Sequence, residues 1–312
     1  MGSPSSSPRS SAASRWRPWA LGALGPLALA GILSQVDRPA LVATIASGDS
    51  RLLACAFLTP LPAIGVRVLR WRLLLGPPGR RWSFRALLVL YARAVALGAL
   101  TPGRVGELVK AGPVAARGVG LSRALASVVL DRLWDVACLA LVAALALPLL
   151  GVRLGRAELI GTGALALVGL AAVLVFAAGG GLRRLRRWLP ALSEATGPPL
   201  PGRALAACAA LTGLSWAITL AASWLYARGL GIPVGYLEMA ALAALCSLVA
   251  SLPISIAGAG TRDATLLLAL APLGIARPQV LALSMLMLSN TLFVGAICSG
   301  AFLLPAGEER SS

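Results

Sequence analysis

The stretch Gly98–Gly112, GALTPGRVGELVKAG, decides how the chain is read. It lies between two strongly apolar runs, yet it carries Arg104, Glu107 and Lys110, and its Pro102, Gly103 and Gly106 are helix breakers. Around it the composition is that of a membrane protein: 58% of the 312 residues are hydrophobic and 12% are charged. A soluble domain carries roughly 25% charged residues. Apolar runs of about 20 residues, the length a bilayer-spanning helix requires, recur along the chain. Charge and helix breakers in such a setting need a polar surrounding of their own.

The apolar segments fall near 19–36, 52–69, 84–100, 121–150, 158–178, 203–227, 236–252 and 278–304, with a shorter piece at 264–273. The fold class this predicts is all-α, a polytopic helical bundle of about eight hydrophobic segments. Residues 1–18 read as a disordered basic tail and 306–312 as a short one, flanking one transmembrane domain over 19–305. The net charge is +17. The arginines sit between apolar runs rather than on one polar face, which points to the positive-inside rule and anionic headgroups, not to nucleic acid. Two clusters, Arg67/Arg70/Arg72/Arg80/Arg81/Arg85 and Arg183/Arg184/Arg186/Arg187, are assigned to the cytoplasmic side, as are both termini of a multi-pass protein of the plasma (inner) membrane. Five scattered cysteines without a CxxC spacing, and no histidine, predict no disulfide, no metal and no cofactor.

These side assignments constrain the middle of the chain. Segment 84–100 starts inside, and 121–150 must run outward to feed 158–178. Residues 101–120 carry too many charges to cross lipid. The economical solution is a re-entrant hairpin in which 84–100 dips in, turns at 101–106 and returns. Irregular backbone at membrane depth is tolerated where protein or a water-filled cavity surrounds it. A second stretch, VASLPISIAGAGTRDATL (Val249–Leu266), repeats the pattern: a proline (Pro253), glycines (Gly258, Gly260), then Arg262 and Asp263. Each unit continues through a short helix into a long apolar one. Half one spans about 84–150 and half two about 236–304. The assigned topology starts one inside and the other outside, so they form an inverted repeat with two broken hairpins, a pattern of transporters.

Three motifs in order, TPGRVGELVKAG, GLSRALASVVLDRLWDV and LPISIAGAGTRDA, resemble the flippase-like membrane domain of the lysylphosphatidylglycerol synthase family. The resemblance covers roughly residues 20–305. It implies lipid translocation by the membrane part, with lysyl transfer belonging to a soluble C-terminal domain expected to be absent here, so an enzyme is the less favoured reading. The family pattern has Glu-Arg where this chain has Asp131-Arg132, and Glu where it has Asp263. It also has an arginine in the last helix near Asn290.

The residues themselves support two readings each. Arg104 suits a lipid phosphate, because a planar guanidinium makes paired, charge-assisted hydrogen bonds, and Glu107 would orient it; alternatively the two clamp the turn. Asp131 and Asp135, four apart, share a helix face. With Arg132 they need partners when buried, which predicts Arg132 against Glu107 and Asp131 or Asp135 against Arg104; alternatively they snorkel near the cytoplasmic face. Arg262 and Asp263 look for partners in the first hairpin or for a phosphate. Arg93, inside VLYARAVAL, is either a functional arginine or paired to an acid in the bundle. Pro102, Gly103, Gly106, Pro253, Gly258 and Gly260 shape the hairpin backbone. The function expected is translocation of a phospholipid or lipid-linked substrate. The alternative is a membrane enzyme, or a partner subunit of a separate transferase, in headgroup modification. The expected partners are membrane lipids: an anionic or aminoacylated phospholipid or a lipid-linked sugar.

Overall fold

The computed structural model describes residues 38–146, 201–251 and 260–305. The tails 1–18 and 306–312, segments 19–36 and 158–178, the run Arg183–Arg187, Pro253 and Gly258 lie outside the described residues. All regular structure among the described residues is helical. The long elements are α1 (Arg38–Ala46), α2 (Ser50–Leu58), α3 (Pro60–Leu75), α4 (Phe84–Leu100), α5 (Leu121–Ala146), α6 (Gly202–Gly229), α7 (Tyr236–Ala250), α8 (Thr261–Leu270) and α9 (Arg277–Ser299). The apolar runs that fall within the described residues reappear as helices, with one addition. Helix α1 occupies what the hydropathy pattern leaves as a connection, and it packs against α9.

Local chemistry sets the ends. The Asp49 carboxylate accepts from Arg51 N at 2.9 Å and Leu52 N at 3.3 Å, capping α2. Ser83 Oγ accepts from Ala86 N at 3.2 Å and opens α4. Proline starts α3, where its missing N–H costs nothing. Three stretches, Ser50–Leu75, Gly202–Gly229 and Arg277–Leu303, are long and apolar enough to cross a membrane. Large apolar side chains such as Leu145, Leu268 and Leu303 are exposed, as lipid contact requires. Helix α7 differs: Met239 to Ala244 are buried without interruption, the mark of a helix enclosed on every side. Its 15 residues extend about 22 Å, less than the roughly 30 Å hydrocarbon core.

The two halves pack reciprocally. Helix α4 lies along its own return segment, Pro102–Lys110, as α7 lies along α8. That segment continues through Ala111–Val114 onto α5, as α8 continues onto α9. Between halves, α4 packs on α9 and α5 packs on α7. Exchanging the halves turns one contact into the other, the pairing that a two-fold relation produces. The α4–α9 contact is close: a Cβ on Gly295 would stand 3.1 Å from the Ala99 Cβ.

The first turn is built tightly. Gly103 and Arg104 both take left-handed backbone, with φ of 60° and 59°. Thr101 Oγ1 donates to Leu97 O at 3.0 Å and accepts from Gly106 N at 2.9 Å, stitching the return segment to the end of α4. Gly106 permits the approach, since a Cβ there would stand 2.6 Å from the Leu97 carbonyl carbon and oxygen. In the second hairpin, Asp263 Oδ2 accepts from Gly260 N at 2.9 Å and caps α8, with Gly260 at φ 77°.

Candidate functional site

Three elements bring charge together inside this bundle. Helix α3 presents Arg67 and Arg70, three residues apart. Helix α5 presents Asp131, Arg132 and Asp135, and the return segment presents Glu107 and Lys110. Arg70, Lys110 and Asp131 are almost wholly buried, and Glu107 and Asp135 are buried as well. Buried charges persist when opposite charges and hydrogen bonds satisfy them. Arg70 donates from Nε to Asp131 Oδ1 at 2.9 Å, from Nη1 to Asp135 Oδ1 at 2.7 Å and to Thr212 Oγ1 at 3.0 Å, and from Nη2 to the Asp131 carbonyl at 3.1 Å. Lys110 Nζ donates to Asp131 Oδ2 at 2.6 Å and stands 4.0 Å from the Tyr91 ring centroid. Tyr91 Oη donates to the same oxygen at 3.1 Å, and Trp216 Nε1 donates to Asp135 Oδ1 at 3.0 Å. The guanidinium of Arg132 pairs with Glu107 and lies 3.6 Å from Asp135 Oδ2. Arg104 reaches Glu107 at 3.8 Å.

Above this cluster lies a cavity of about 360 Å³ where the two halves meet. Thr101, Gly103 and Arg104 reach it from the first hairpin; Ser247, Ser251 and Arg262 reach it from the second. Among the described residues, four arginines line it, Arg67, Arg104, Arg132 and Arg262, against one carboxylate, Asp135. The cations keep donors in reserve: Arg67 Nε, Arg132 Nε and Arg262 Nη2 are buried without a hydrogen-bond partner. A buried donor left unmade is costly, and an anion in the cavity would relieve that cost with charge-assisted bonds.

Several residues fall elsewhere than the sequence pattern predicts. Asp131 and Asp135 are held by Arg70 and Lys110 rather than by Arg104, because α3 packs its Arg67–Arg70 face onto α5 while Arg104 sits at the turn. Arg70 therefore does not belong to a headgroup-facing basic cluster, and Arg67 faces the cavity, 4.6 Å over the Trp216 ring and 3.2 Å from Thr219 Oγ1. Arg262 Nε donates to Ser284 Oγ of its own half at 3.3 Å, and Asp263 serves as the α8 cap; neither meets the first hairpin among the described contacts. Among the described residues Arg93 pairs with no acid. It donates to the carbonyls of Ala301 at 3.0 Å and Leu304 at 2.6 Å and lies over Phe302, tying α4 to the end of the chain's last helical turn. Asn290, where an arginine is expected from the resemblance, lines the cavity and donates to Tyr226 Oη at 2.6 Å.

The family model for the lysylphosphatidylglycerol synthase TM region matches residues 19–299. The chain belongs to this family. Comparison with curated proteins gives no significant match. The lysylphosphatidylglycerol synthase TM region takes in all nine long helices α1–α9, so both return segments, the ion-pair cluster and the cavity lie within it. Family membership and the apolar helices together make this a membrane-embedded helical protein with a lipid-related function.

Proposed function

We propose that this TM-region protein translocates a phospholipid or lipid-linked molecule between leaflets, passing its headgroup through the cavity between the two hairpins. The observation that carries this reading is the cavity lining: four arginines, three of them with unspent buried donors, at the meeting point of two broken helical hairpins. A phosphate would sit among Arg104, Arg132 and Arg262 while acyl chains stay in lipid. The hairpins are read as re-entrant from opposite faces, an inverted repeat, in the plasma membrane with both termini cytoplasmic. The geometry favours binding over headgroup chemistry. Glu107, Asp131 and Asp135 are each engaged by cations, and of these three Asp135 alone lines the cavity.

Reconstitution tests the reading. Purified protein in liposomes with labelled phospholipids should accelerate leaflet exchange, and Arg104→Ala and Glu107→Ala should slow it at least about tenfold, equivalent to about 1.4 kcal/mol at the barrier. Absence of exchange for every anionic, aminoacylated and sugar-bearing lipid tested would reject translocation. Conversion of a lipid headgroup by the pure protein would put the enzyme reading in its place.

A further inference from the structure

We infer that the cavity selects a lipid whose headgroup is an anionic phosphodiester with an uncharged, hydroxyl-bearing remainder, and rejects headgroups carrying an amine. The inference rests on the translocation reading for its setting and on the lining for its content. Among the described residues four arginines face the space, and the one carboxylate, Asp135, is held through Oδ1 by Arg70 at 2.7 Å and Trp216 Nε1 at 3.0 Å, with Arg132 3.6 Å from Oδ2. An ammonium group entering here would meet four guanidinium groups and a single carboxylate oxygen without a hydrogen bond, Asp135 Oδ2, which already has Arg132 3.6 Å away. A phosphate meets the guanidinium groups of Arg67, Arg104, Arg132 and Arg262.

The uncharged part of the wall sets hydroxyl groups among apolar side chains such as Ile64, Val95, Leu139 and Met287. Thr219, Ser247, Ser251 and Thr291 line the cavity, and each spends its hydroxyl hydrogen on the carbonyl four residues back, at 2.7, 2.7, 2.8 and 3.0 Å. The oxygen lone pairs of Ser247, Ser251 and Thr291 are what they offer to a guest, while Thr219 Oγ1 already accepts from Arg67 at 3.2 Å. Such a wall accepts hydrogen bonds from the hydroxyls of a glycerol or a sugar, groups that bring no charge into a field set by arginines. An ammonium group also donates, but it would pay the repulsion of the four guanidinium groups.

The test compares lipids at the same site by two readouts. In proteoliposomes, leaflet exchange of labelled phosphatidylglycerol is measured beside lysyl-phosphatidylglycerol and phosphatidylethanolamine. In detergent, displacement of bound phosphatidylglycerol by each of these, and by soluble glycerol 3-phosphate, is measured at equilibrium. Phosphatidylglycerol should exchange at least about tenfold faster than the lysyl lipid and bind at least about tenfold tighter, a difference of about 1.4 kcal/mol. Ser251→Asp, at an exposed position of the wall, should narrow that gap by supplying the missing acid. Arg262→Gln should weaken phosphatidylglycerol binding in both readouts. Equal or tighter binding of the lysyl lipid would overturn the inference, as would equal displacement by glycerol 3-phosphate, which would make the guest a soluble phosphate ester. If no lipid exchanges, translocation falls, and the displacement series alone still decides headgroup choice.

Discussion

Arg70→Met removes the hub of the buried cluster, and the cost follows from what it leaves behind. Arg70 makes four hydrogen bonds that span α3, α5 and α6. Without it, Asp131 keeps Lys110 and Tyr91, whereas Asp135 keeps Trp216 Nε1 and an arginine 3.6 Å away. Stripping one partner from a buried ion pair costs about 3–5 kcal/mol, since the surviving charge stays buried. At about 2–4 °C per kcal/mol, this lowers the melting temperature by about 10 °C. Thermal unfolding in detergent measures the loss. A double-mutant cycle with Asp135→Asn isolates the pair, with an expected coupling of about 1–3 kcal/mol. Removing both charges should recover part of the loss, because Asp135→Asn takes away the charge that Arg70→Met strands. Arg70→Met within about 1 kcal/mol of the parent, or a coupling indistinguishable from zero, would refute the view that these charges are dry and mutually dependent.

Three further outcomes follow from the hairpin. Arg104→Gly should hold stability within about 1 kcal/mol, because a glycine relieves the left-handed backbone at φ 59°, while leaflet exchange falls; a large stability loss in thermal unfolding would show that Arg104 is a clamp instead. Gly106→Ala should destabilise by about 1–3 kcal/mol, since its Cβ meets the Leu97 backbone at 2.6 Å and backbone yields poorly; Gly98→Ala meets the movable Glu107 Cγ at 2.6 Å and should cost less stability in the same assay while displacing Glu107 from Arg132. A cysteine at the exposed Ala116, in a Cys55→Ser background that removes the exposed native thiol, should react with impermeant label from the cytoplasmic side; reaction from outside would end the re-entrant reading of the first hairpin.

The helices were legible because hydropathy over about 20 residues is a long signal that packing does not overrule. Segment 84–100 is α4 to the residue, and the turn at 101–106 follows from Pro102 and the two glycines. Helix α1 was not legible. RPALVATIA has no strong periodicity, and it is helical where it packs on α9. The Arg132–Glu107 pair was readable because Glu107 is the one acid in the stretch Gly98–Gly112.

The partners of Asp131 and Asp135 were not readable, and the reason is physical. A basic cluster beside an apolar run reads as a solvated flank when each arginine is given the same weight. The face decides instead. Arg67 and Arg70 are three apart and share one side of α3, as Asp131 and Asp135 share one side of α5. Two such stripes of opposite sign, in helices that are otherwise apolar, have no better place than against each other. Lys110 completes the argument. It stands six residues beyond Arg104 in the very stretch that interrupts the apolar chain, yet the two cations have opposite fates. Lys110 is sealed between Asp131 and two aromatic rings, whereas Arg104 is left at the cavity with about a third of its side chain accessible. The return segment thus spends one cation holding the bundle and keeps the other for a guest, which is why stability and transport should separate between Lys110 and Arg104 substitutions.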